Sequence, residues 1–376
     1  MLRVSKSDMH NDYRVVSFFF FIIFFCSLNN SYSKDFIINE QIEPYCNGVS
    51  VDKFVKERTI DSIEIITNKT RKWEKNLIRS LVEFKSKDSK THNTKLFNFR
   101  IKNKYKKKFK STVIVNFKEK NLTCKFKAKI RIAGDLQWHI RWVNGRASSS
   151  IHVQLIDGHI NSITRFKLFL PEARNNDNEI FVTNLLKELG FLAPRTEKIN
   201  AKINGVSSKY IFQEDLQKEF LENSKMREGP ILEGDERFTI QQKDENMLRN
   251  LSLARLLNKK FSLKGSSNRD IALRAVSNLN LIYLQSHQIE NFNRFKSIAP
   301  DRLHINSKKF FLNNSNKKKF QTYEAIVYAL NADHGQSTDD RRFYFDPINK
   351  YYVPIYYDGK ADIVNAHDIR LQDPSF

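Results

Sequence analysis

Glycine is scarce in this chain, at 11 of 376 residues, and so are proline (8), methionine (4) and cysteine (3). No G-x-G-x-x-G and no Walker A sequence occurs, which excludes both common glycine-rich phosphate loops. Cys26, Cys46 and Cys124 have no metal-ligand spacing. The main apolar run, Val15 to Cys26, is about a dozen residues and too short for a spanning helix. There is no internal repeat. Acids are outnumbered, 42 against 64 Lys and Arg, giving a formal charge of +22. That charge invites a nucleic-acid reading. The lysines are scattered, however, and abundant Lys, Asn, Ile and Phe with little Gly and Pro is the composition of an AT-rich genome, so nucleic acid is not an expected partner. The one dense basic run, Lys102 to Lys110, is expected on a solvated turn, with contact to an anionic surface as the alternative.

What is present supports a packed core: 40% hydrophobic and 12% aromatic residues over a length sufficient for one large domain or two. At the N-terminus Arg3, Lys6 and Arg14 precede the apolar run, and the small residues Ser31 and Ser33 follow it. Residues 1–33 therefore read as a signal peptide, or as an uncleaved membrane anchor because Asp8 and Asp12 weaken the basic region. Phe24 and Phe25 exclude a lipobox at Cys26. The expected location is the periplasm, cell envelope or exterior, where Cys46 and Cys124 either pair or remain buried thiols.

Punctuation and periodicity divide the remainder. Residues 34–110 form a polar lead-in with one helix, over 71–86, carrying Trp73, Leu77, Leu81 and Phe84 on one stripe. Residues 111–230 are strand-rich. Ser111–Phe117, Leu122–Ile132, Ile151–Leu155, Thr164–Leu170 and Tyr210–Phe212 read as strands, and one helix opens at Asp177 and stops at Gly190. Residues 231–376 read as mainly helical, with helices over 271–284 and 321–330. A strand-rich half before a helical half predicts an α+β, two-lobed phosphotransferase layout.

The tail carries two acidic clusters. Asp333, Asp339 and Asp340 precede Arg342–Asp346 (RFYFD), and Asp358 and Asp362 follow Tyr351–Tyr357 (YYVPIYY). The two apolar runs around Pro347–Asn349 predict a β-hairpin, whose closed ends bring the clusters together. Converging carboxylates suit a hard cation and its phosphates; charged strand ends in a solvated loop are the alternative.

Several segments, in order, resemble the CotH kinase family, named for spore-coat protein H. They are Arg131–Asp135 (RIAGD), Arg165–Leu168 (RFKL), Pro171–Arg174 (PEAR), Leu185–Arg195 (LLKELGFLAPR), Ile203–Gly205 (ING), Tyr210–Glu214 (YIFQE) and Glu228–Ile231 (EGPI). The tail segments Asn331–Gly335 (NADHG), Arg342–Asp346 and Pro354–Gly359 (PIYYDG) complete the likeness over roughly residues 120–365. The resemblance implies an atypical protein-kinase-like fold with a strand-rich N-lobe and a helical C-lobe. It also implies transfer of the ATP γ-phosphate, with Mg or Mn, to Ser or Thr of a protein, or to another envelope polymer.

Phosphoryl transfer needs cations on the phosphates, metals on carboxylates and a base at the hydroxyl. On that pattern Lys167 is the phosphate-contacting lysine, with an exposed strand lysine as the alternative. Glu179 pairs with it, or is a helix N-terminal acid. Glu214 orients the lysine or lies at the nucleotide edge, or is a solvated hairpin-end acid. Arg174 neutralises phosphate, or holds Glu172 or Asp177. Asp333 matches the base, and Asp358 the main metal ligand. Asp340, with Asp339 as rival, fills the slot of a metal-binding Asn, a departure that shifts preference toward Mn. His334 reads more readily as a packed or solvent histidine than as catalytic. Asp362 is a second metal ligand or a helix cap. The loop from Gly134 to Ser150 is the expected nucleotide cover. The stop at Phe376, 18 residues past Asp358 (376 − 358), implies a minimal or cut C-lobe. With the altered Asn slot, it leaves an inactive CotH-like scaffold as the second reading.

Overall fold

Alternation of apolar and basic residues shapes strand β4 (Thr123–Ile132): Cys124, Phe126, Ala128, Ile130 and Ile132 are buried, while the lysines between them face solvent. The same logic recurs along the first half of the chain. The computed structural model describes residues 46–47, 58–88, 101–118, 122–244, 247–292, 305 and 309–363. The signal or anchor expected over 1–33 lies outside them. Two compact units are present, residues 1–47 and 48–376. The first contains one described element, β1 (Cys46–Asn47).

The second unit is built on a barrel. Its other strands are β2 (Ile60–Thr67), β3 (Phe109–Phe117), β7 (Ile151–Leu155), β8 (Arg165–Phe169), β9 (Thr196–Ile203) and β10 (Val206–Glu214). Hydrogen bonds run round the ring β4-β3-β2-β9-β10-β8-β7 and back to β4, closing seven strands. Every pairing is antiparallel except β2 on β9. Closure leaves the ring no unpaired edge. A small hairpin, β5 (Ile140–Val143) with β6 (Arg146–Ser149), stands beside it.

A four-stranded sheet follows, in the order β12-β11-β13-β14. It comprises β11 (Ile231–Asp244), β12 (Met247–Leu256), β13 (Arg342–Phe345) and β14 (Tyr352–Ile355). The described helices are α1 (Thr70–Asp88), α2 (Asp177–Glu188), α3 (Lys218–Asn223), α4 (Ser266–Phe292) and α5 (Asn314–Ala329). Among the described residues no helix is long and apolar enough to cross a membrane.

These findings overturn the expected two-lobed kinase-like fold: the described chain is a closed seven-stranded barrel with further sheets and five α-helices. Two local signals misled. Strand β2 lies in the segment read as a polar lead-in, yet it closes the ring through its parallel seam with β9. The stretch after Gly229 and Pro230 was expected to be helical, but β11 and β12 form a long hairpin there. Leu251, Ser252 and Ala254 of β12 are all buried, so both faces are covered and the period of two is blurred. Where amphipathicity was clean, the expectations agree with the structure. Helix α1 buries Trp73 and Leu77, α4 extends the expected helix at both ends, and α5 begins early, where Asn313 Oδ1 caps the Asn316 N–H at 3.0 Å. The start of the basic run folds onto α1: Lys102 and Lys104 pair with Glu83 at 2.9 and 2.7 Å.

Phe310 anchors the second core. Its ring meets Phe311, Phe320, Phe343 and Tyr352 with centroids 4.9 to 5.2 Å apart. This cluster joins α4, α5 and the β13–β14 hairpin. Phe310→Ala is expected to cost about 3–5 kcal/mol in urea unfolding, and Phe311→Ala, only partly buried, clearly less. Equal losses would mean that Phe310 is not the centre of this core.

Candidate metal and anion site

The barrel contributes the first wall of the site. Register on β7 and β8 sets His152 opposite Lys167, and on β8 and β10 sets Gln213 opposite Lys167. One residue beyond β10, the Asp215 N–H bonds the Arg165 carbonyl at 3.0 Å. Its carboxylate then lies 3.1 Å from His152 Nε2 and 3.3 Å from Lys167 Nζ. Burial alone would raise the Asp215 pKa, but Lys167 and His152 hold it well below the usual carboxylate range. Burial keeps His152 below its ordinary value, against the pull of Asp215.

The hairpin contributes the second wall. Lys167 Nζ donates to the Tyr357 hydroxyl at 2.7 Å, and Arg174 Nη2 donates to the same oxygen at 3.1 Å. Arg174 ends a 3₁₀ turn (Pro171–Arg174) and lies over the Phe169 ring, 4.1 Å from its centroid. The Arg342 guanidinium covers the Tyr357 ring at 3.3 Å and bonds Glu233 at 3.3 Å. Burial would raise the Tyr357 pKa; the three cations overcome it and bring the phenol down to about 8.

Asp358 follows in a left-handed conformation, φ +54°, with its carboxylate ion-paired to Arg174 Nη1. The next residue must be small: a Cβ on Gly359 would meet Tyr356 Oη at 2.3 Å and the Ala332 carbonyl at 2.8 Å. Close backbone approach therefore sets this loop against the 3₁₀ turn Asp333–Gln336. That turn presents His334, whose Nε2 is 3.1 Å from Asp340 Oδ2. His334, Asp340 and Asp358 each offer a ligand atom, all within 4.8 Å of one another. Burial lowers the His334 pKa to about 4, so the imidazole is neutral at pH 7, as a metal ligand must be. Burial and neighbouring Asp339 raise Asp340. One nitrogen and two carboxylates fit Mn²⁺, and fit Mg²⁺ less well because Mg²⁺ favours oxygen alone.

The expected site residues divide. Lys167, Arg174, Asp358 and Asp340 come together as described. Glu179 joins them differently from expectation: it does not pair with Lys167 but accepts the Tyr356 hydroxyl at 2.9 Å. Glu214 stands apart, bound by the Arg195 N–H at 3.3 Å and by Asn223 Nδ2 at 3.1 Å. Strand alternation explains the exchange: Glu214 faces with Phe166, whereas Gln213 and hence Asp215 face with Lys167. Half-buried Asp333 heads the turn that carries His334 and is outside the three-residue ligand group. The loop expected to cover a nucleotide is built into the wall instead. Ser148 Oγ meets Tyr210 Oη at 2.6 Å, and Ser150 Oγ meets His139 Nδ1 at 3.1 Å and accepts the Leu170 N–H at 2.9 Å.

His152, Asp215, Tyr356, Tyr357 and Arg342 were not foreseen. The tyrosines and Arg342 were read as strand residues, and no local signal marks them as polar anchors. No protein-family model matches the chain, and no characterised protein matches it in sequence.

Burial is the largest influence on Glu179 and raises its pKa above 4.5, with Arg174 opposing. The folded state thus binds the extra proton, and this contribution is full below pH about 4.5 and is lost as pH rises through the folded value. Glu179→Gln should remove that decline from the stability–pH curve, whatever constant offset it adds. Parallel curves for the two proteins would show that Glu179 has an ordinary pKa.

Proposed function

We propose that the chain is an exported, CotH-like phosphotransferase that uses ATP with Mn or Mg and acts on Ser or Thr of a protein, or on another envelope polymer. One observation carries the reading: a His-and-two-Asp ligand group and a Lys–Arg pair share the Tyr357–Asp358 corner. A divalent ion there would neutralise charge on transferring phosphate. Lys167, fixed by Asp215 and Tyr357, supplies a positioned ammonium beside it. Arg174, planar and always charged, suits bidentate contact with phosphate oxygens. His334, Asp340 and Asp358 would hold the ion. Asp333, one residue before His334, is the base that the family resemblance assigns. Export and possible membrane association rest on the basic and apolar N-terminal residues.

A second reading, a catalytically inactive envelope scaffold, is favoured by a different fact. Both cations already have internal partners, Lys167 with Asp215 and Arg174 with Asp358. Thermal unfolding with ATP and Mn²⁺ or Mg²⁺ separates the two. At about 100 times the dissociation constant, a kinase should gain about 2.7 kcal/mol, with the gain abolished in Asp358→Ala. A folded protein whose transition ignores ATP and metal is the scaffold.

A further inference from the structure

Asp358 has two claimants. Its carboxylate belongs to the ligand group with His334 and Asp340, and it is also the ion-pair partner of Arg174. A cation bound by that group competes for the charge that now holds Arg174. Arg174 cannot simply lose its partner, because it is only 5% exposed and an unpaired buried charge is costly. Nor is the guanidinium fully used as it stands: its Nε makes no hydrogen bond. The other described acids around it are committed elsewhere: Asp215 to Lys167 and His152, Glu233 to Arg342 and Arg255, and Asp340 to the same ligand group, while Glu179 feels Arg174 but is pushed toward its neutral form by burial and holds the Tyr356 hydroxyl. In direct contact with Arg174, besides Asp358, are the Phe169 ring and the Tyr357 hydroxyl, and Lys167 donates to that same hydroxyl.

We propose that Arg174 serves two partners in turn: it neutralises Asp358 in the free protein, and when a divalent cation takes Asp358 it becomes, with Lys167, the binding site for a phosphoryl anion. The inference rests on the metal-dependent phosphate reading above and adds an order to it. The cation creates the anion site by displacing its counter-ion, so the two ligands are positively coupled through one side chain. By reciprocity, phosphate must strengthen metal binding by the same factor that metal strengthens phosphate binding.

The test is calorimetric titration of the full chain with Mn²⁺, with inorganic phosphate, and with each in the presence of the other. Wild type should bind phosphate about fivefold or more tighter at saturating Mn²⁺, a coupling of ordinary allosteric size. Arg174→Gln should bind Mn²⁺ more tightly than wild type, because its competitor is gone, and should lose the coupling. Opposite signs for the two ligands in one variant cannot come from damage to the fold, which weakens both. Asp358→Asn gives an independent check: it frees Arg174 without metal, so phosphate binding should rise above the metal-free wild type. Coupling that persists in Arg174→Gln, Mn²⁺ binding that weakens there, or no gain in Asp358→Asn each overturns the inference and leaves the metal-dependent reading intact. Wild type that binds no Mn²⁺ sinks both.

Discussion

A phenol buried among three cations is stable only while each cation has an answering acid, and the Tyr357 hydroxyl is where this bargain is struck. Lys167 and Arg174 reach it from the barrel side, and Arg342 covers its ring from the hairpin. Behind them stand Asp215, Asp358 and Glu233, one acid for each cation. Buried ion pairs add little net stability, but removing one member strands the other in a medium that solvates it poorly. The arrangement therefore fixes position. It ties strand β8, the 3₁₀ turn at Arg174 and the β13–β14 hairpin to one oxygen atom.

A second polar tie runs parallel to the first. Glu179, in the first turn of α2, accepts the Tyr356 hydroxyl two residues before Asp358. Two adjacent tyrosines thus send their hydroxyls to different partners, Tyr356 to Glu179 of α2 and Tyr357 to Lys167 of β8 and Arg174. The loop between them and α5 has no slack, because Gly359 lies against Ala332 and Tyr356 with no space for a side chain. Asp358 is held by this geometry, and a ligand group whose members sit on two packed loops is preorganised.

Much of this was legible in the sequence. The turn at Pro347–Asn349 and the flanking aromatic runs specify the β13–β14 hairpin, and a hairpin must bring Asp340 and Asp358 together. Lys167 and Arg174 were also marked. What escaped was anything set by non-local pairing. Asp215 rather than Glu214 meets Lys167 because of the β8–β10 register, which the sequence of either strand does not state. Glu179 meets Tyr356 rather than Lys167 for the same reason: α2 packs against the hairpin, not only against the barrel. The lobes failed at the same level. Local alternation reveals strands, but whether they form an open sheet or a ring depends on which distant strands find each other, and β2 was masked by a polar neighbourhood.

Ring closure also has a consequence for how the chain reaches this state. The parallel seam sets residues 62–65 against 200–203, and the β4–β7 seam closes the far side. Strand β2 cannot complete its hydrogen bonds until β9, well over a hundred residues later, has left the ribosome, and loop-closure entropy opposes the meeting throughout. Assembly of this barrel is accordingly a late, slow event in synthesis, with β2 waiting as an exposed apolar ribbon.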